Sequence, residues 1–213
     1  MGYALFFLLI LGAALGFFEA GVVVYLRALV YPGAPLFPMK AMTSSILRVE
    51  LLREIFSIVL IWSAAVLAGR TRALKFASFL ILFGVWDLFY YVFLRIFLNW
   101  PASWKDWDIL FLIPAPWVAP WIAPALCSVT LTAFGFGMYK LWSKGYPMPI
   151  AREDILAATV AGAPILASFF WETKTVLRGG VPTHYPWALL FLGLLLAWGW
   201  ALMRYRKYTR FEK

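Results

Sequence analysis

The residues whose types could do chemistry stand inside or beside long apolar runs: Glu19, Arg27, Glu50, Arg53, Glu54, Asp87, Tyr91 and Arg95. Glu19, Val23 and Arg27 follow one another at four-residue steps, which puts both charges on one side of a helix. Glu50 and Glu54 are one turn apart, with Arg53 beside both. Asp87 shares a helical face with Tyr90 and Tyr91, and Arg95 lies a further turn along. A charge at the centre of a bilayer costs on the order of a few kcal/mol, so each of these groups must face protein or a wet cavity.

Such a set supports several chemistries. Four carboxylates (Glu19, Glu50, Glu54, Asp87) and four arginines (Arg27, Arg48, Arg53, Arg95) form a mutually neutralised network if they pair, because an unpaired buried charge is far costlier than a paired one. Glu19, Glu54 and Asp87 alone would suit a hard cation, although nearby arginines repel one. Arg27, Arg53 and Arg95 would clamp a phosphate or carboxylate bidentately, with Asp87 or Glu19 moving a proton. A transition-metal centre is not expected, since the chain has one histidine and one cysteine, Cys127. No cofactor is readable, and no Gly-x-Ser-x-Gly or His-rich motif announces a nucleophile.

A second group forms the expected rim or lid. Trp107, Asp108, Trp117 and Trp121 lead into or lie within a proline-rich stretch, Pro114 to Pro124. Glu172 and His184 stand at the two ends of one loop. Interior prolines each cost a helix about 3 kcal/mol, so the stretch 109–124 reads as a broken or re-entrant segment.

The elements that must hold these groups follow from composition. Of the 213 residues, 64% are hydrophobic and 14% charged, far from the ~25% charged of a soluble domain. The expected fold is an all-α integral membrane bundle of one domain. Its six spans lie near 3–30, 46–68, 76–98, 125–142, 155–171 and 187–203, each near the ~20 residues a bilayer needs. Met1-Gly-Tyr has no basic region, so the first run reads as a retained span rather than a cleaved signal.

The net charge of +9 is distributed in short clusters between spans rather than as a stripe, which argues against nucleic acid. Arg70, Arg72, Lys75, then Lys140, Lys144, Arg152, then five basic residues after Met203 all fall on one side. The positive-inside rule makes that side cytoplasmic, with both termini there and the plasma (inner) membrane as the location. The acidic and arginine residues then lie at mid-membrane or in the outer half. The leading functional expectation is an outward-facing charged pocket that binds a small polar ligand or lipid headgroup, or conducts protons or ions. A non-catalytic subunit or assembly factor of a larger membrane complex is an alternative, as is an enzyme acting on a lipid-linked phosphate. Membrane lipids are the expected partners, with a larger complex or a homo-oligomer beyond them.

Overall fold

A computed structural model describes residues 2–33, 35–146 and 149–209. Met1, Pro147, Arg210 and Lys213, which enter the expectations for the first span, a connecting loop and the basic tail, lie outside the described residues. Long apolar runs become helices because a helix satisfies its own backbone hydrogen bonds wherever water is absent. In chain order these are α1 (Gly2–Val30), α2 (Ser44–Ala68), α3 (Arg72–Leu98), α4 (Ile122–Ser143), α5 (Arg152–Phe169), the short α6 (Thr173–Leu177) and α7 (Trp187–Thr209). Six helical segments are long and apolar enough to cross a membrane, the fifth running from Arg152 through α6. The architecture is compatible with an integral membrane protein. Their outward faces carry large apolar side chains such as Phe7, Tyr25, Leu67 and Leu195.

Helix α3 is the axis of the bundle, buried on nearly every side and packed against α1, α2 and α4. Small residues allow these close approaches, since association within lipid depends on backbone proximity rather than on the hydrophobic effect. A Cβ at Gly84 of α3 would lie 2.5 Å from the Ser128 carbonyl of α4, and one at Gly16 of α1 would lie 2.7 Å from the Trp86 carbonyl of α3. A second unit is the pair α5 and α7. Asp154 and Arg204 join its ends at 2.8 Å, and Trp200 Nε1 donates to the same carboxylate at 2.9 Å.

The stretch 109–124, expected as a broken or re-entrant segment, is not a continuous helix. It is an antiparallel hairpin of β1 (Trp107–Phe111) and β2 (Trp117–Pro120), paired Trp107 with Pro120, Asp108 with Ala119, Ile109 with Val118 and Phe111 with Trp117. Trp, Ile, Phe and Val fit a pleated surface. Pro114 and Pro116 fall in the connection, where a missing N–H breaks no ladder bond. With its partners inside the hairpin, this backbone needs no helix, and α4 begins only at Ile122. The hairpin caps the end of the bundle where α1 ends, α2 begins and α3 ends. Trp117 packs on Phe169 and Phe170, and Trp107 meets the edge of Tyr185, which anchors the hairpin to the second unit.

Candidate functional site

Beneath the hairpin lies a cavity of about 90 Å³, walled by α1, α2, α3, the α1–α2 connection and residues 108–112 of the hairpin. The sequence spacing placed Glu19, Arg27, Glu50, Arg53, Glu54, Asp87, Tyr91 and Arg95 in one group, and all but Arg95 line this cavity. Water's share of liquid volume is ~30 Å³ per molecule, so the space suits a few waters or a small polar group.

One subset is an ion cluster. Arg53 donates to Glu50 of its own helix through Nε at 3.0 Å and through Nη2, and to Glu19 of α1 through Nη1. A single guanidinium thus joins α1 to α2 and holds two carboxylates, which occupies the fork expected to clamp an anion. Glu54, one turn further, accepts the Leu112 backbone N–H with both oxygens, at 2.8 and 3.0 Å. This bond seats the hairpin on α2.

A second subset surrounds Asp108, which is fully enclosed. Its Oδ2 accepts from the hydroxyls of Tyr90 and Tyr91, each at 3.2 Å. Its Oδ1 stands 3.8 Å from Arg27 Nη2, an ion pair too long to be a hydrogen bond. Burial pushes the Asp108 carboxyl up to about 6, and the lowering pull of Arg27 only partly offsets it. Arg27 itself lies over Trp100, its guanidinium carbon 4.2 Å from the ring centroid. Its Nε and Nη2 are buried and lack a hydrogen-bond partner among the described residues. Nη2 is the atom that faces Asp108. Asp87 accepts from Ser128 of α4 at 2.8 Å, which ties the cavity floor to the fourth span.

Two arginines of the expected network go elsewhere. Arg95 is exposed and donates to the carbonyls of Asn99 and Pro101 at 2.7 and 3.0 Å, capping the end of α3. Arg48 is exposed and donates to the Ser44 carbonyl. The balance therefore changes. The cavity wall holds five carboxyls, those of Glu19, Glu50, Glu54, Asp87 and Asp108, against the guanidiniums of Arg27 and Arg53. Lys40 lies on the outer side of Tyr31 at the rim, its ammonium 5.5 Å from the ring.

Of the rim group, only Asp108 reaches the cavity wall. Trp121 stacks behind Tyr91 and donates to the Ser103 carbonyl, and Trp117 donates to the Ile113 carbonyl. Glu172 accepts the backbone N–H groups of Thr183 and His184, closing the loop before α7, while the His184 side chain is exposed. Tyr31, Trp86 and Tyr90 join the wall without having been singled out as site residues. Tyr90 shares the Asp87 face by spacing alone, whereas Tyr31 and Trp86 are fixed by the folding of a loop and by the α3 axis.

Among the described residues, no three of His, Cys, Asp and Glu converge as a metal-ligand set. The carboxyls are instead spread around the wall: Glu19 and Glu50 share Arg53, while Glu54, Asp87 and Asp108 have donors of their own. No protein family model, no characterised protein and no solved structure matches this chain, so its chemistry is argued from the geometry of the cavity alone.

Proposed function

We propose that this chain is an integral membrane protein whose hairpin-side cavity binds a small organic cation, a primary ammonium being the group that fits. The observation that carries this reading is the excess of wall carboxyls over guanidiniums. Buried like charges cannot all remain ionised without compensation, so the excess is met by protons or by a bound cation. An anion fits less well, because Arg53 is already committed to Glu19 and Glu50, Arg95 lies outside, and Arg27, whose Nε and Nη2 lack a hydrogen-bond partner among the described residues, stands against the Asp108 carboxyl. The spread of the carboxyls suits a group with several N–H donors better than a compact metal ion. Tyr90, Tyr91 and Trp86 add aromatic surface of the kind that favours organic cations.

The proposed setting is the plasma membrane with both termini cytoplasmic. Arg70, Arg72, Lys75, Lys140 and Lys144 cluster at the end of the bundle away from the hairpin, as the positive-inside rule requires of a cytoplasmic face. The cavity then belongs to the outer half of the membrane.

Saturation-transfer NMR on the purified protein in nanodiscs tests the reading, with ethylammonium and acetate as probes. Transfer to ethylammonium, reduced in Asp87→Asn, is expected. Transfer to acetate alone, or equal transfer to both, would overturn it.

A further inference from the structure

The acid-lined cavity shares part of its wall with a second, larger space. A groove of about 270 Å³ runs between α1 and α2, lined by Leu15, Phe18 and Val22 on one side and Ser57, Leu60 and Ile61 on the other. Glu19, Arg53 and Trp86 belong to both spaces. The groove exists because α1 and α2 each pack along α3 rather than along each other. Its outer rim is apolar and open, with Phe18 67% and Leu60 51% exposed, so it faces the surroundings of the bundle.

The sequence pattern gives the groove a direction. Leu15, Glu19 and Val22 follow at i, i+4 and i+7 on α1, and Arg53, Ser57 and Leu60 do the same on α2. Each helix thus offers a stripe that is apolar except where it meets the ion cluster and, on α2, at Ser57. A molecule matching both spaces has a hydrocarbon chain and one small charged end. The carboxyl excess sets the sign of that end, and the 90 Å³ of the inner cavity limits its size.

Resting on the function proposed above, we infer that the natural ligand is a single-chain amphiphile with a primary amine. Its chain lies in the α1–α2 groove and its ammonium is held by the carboxyls around Glu19. The molecule enters sideways from the lipid between α1 and α2, and Trp86 is the common wall along which head and chain meet.

The test measures binding of ethylammonium, butylammonium and hexylammonium to the full chain in nanodiscs, with empty nanodiscs subtracted. Burial of a methylene contributes about 0.8 kcal/mol, so affinity is expected to rise about fourfold per added CH₂. Ser57→Trp and, independently, Leu60→Trp fill the groove. Each should flatten the chain-length series while ethylammonium binds within about twofold of its wild-type affinity. A series that is flat in the wild type, or that stays steep in both variants, would overturn the groove as the chain site. Hexanoate gaining as much as hexylammonium would overturn the cationic head. Failure of ethylammonium itself to bind would instead remove the underlying functional reading.

Discussion

Glu54 and Leu112 stand 58 residues apart in the chain, yet both carboxylate oxygens of Glu54 accept the Leu112 backbone N–H, at 2.8 and 3.0 Å. This contact fixes the hairpin over the cavity, because the Leu112 amide lies just past the last ladder pair of β1 and needs an acceptor. A hydrogen bond to a charged group contributes about 1.5–3 kcal/mol. Glu54→Ala should therefore destabilise the fold by that order and raise hydrogen exchange at the Leu112 amide. Glu54→Gln, which keeps one acceptor, should show a smaller effect. Unchanged exchange in Glu54→Ala would mean that the hairpin is held by its tryptophans alone.

Arg53 is the shared partner of Glu19 and Glu50, so its removal leaves two partly buried carboxylates without a counter-charge. Arg53→Met should cost about 3–5 kcal/mol. The triple variant Glu19→Gln/Glu50→Gln/Arg53→Met should recover more than half of that loss, because it removes the stranded charges as well. Thermal unfolding in a common detergent compares them. A triple variant as unstable as the single one would show that packing, and not charge, is what Arg53 supplies.

Asp108 gives a pH signature. Its carboxyl, raised by burial from 3.8 to about 6 in the fold, binds a proton more tightly in the folded than in the unfolded chain. The contribution of this group is therefore most favourable below pH 4 and declines as pH rises to about 6, a change of about 3 kcal/mol. Arg27, Tyr90 and Tyr91 are the groups that face it. Melting temperatures of the wild type should fall relative to those of Asp108→Asn between pH 4 and 6. Parallel curves would rule out titration of Asp108 in this window.

The close approach of α3 and α4 can be tested at two glycines. Gly84→Val should disrupt folding, since even its Cβ would lie 2.5 Å from the Ser128 carbonyl. Gly137→Ala on α4 meets nothing within 4 Å and should be neutral, or more stable by the ~0.5–1 kcal/mol that alanine gains in a helix. Yields of folded protein by size-exclusion chromatography separate the two outcomes, and equal behaviour would contradict the packing described.

Much of this arrangement was legible in the sequence, and the gaps have physical causes. The helices announced themselves by length and apolarity. Helical spacing grouped Glu19, Arg53, Glu54, Asp87 and Tyr91, which line one cavity, because a four-residue step fixes a face before any partner is known. Arg95 lies away from the group because it sits near the C-terminal end of α3, where carbonyls outside the regular ladder take a guanidinium, and Asn99 with its positive φ of 52° presents one. The hairpin was hidden because proline spacing reads as a broken helix and the strands are short. The two-residue alternation from Trp107 to Phe111 did carry a signal. It turns Asp108 away from Trp107, toward the cavity, while Trp107 packs against Tyr185.

The central claim is that the cavity's excess carboxyls bind an organic cation, which displaces the protons that otherwise neutralise them. Isothermal titration of ethylammonium chloride into the nanodisc-held protein, in two buffers of different ionisation enthalpy, tests it most directly. The account predicts saturable binding with a buffer-dependent heat that reports net proton release, both diminished in Asp87→Asn. Binding without proton release in the wild type, or no saturable heat at any concentration, would contradict it.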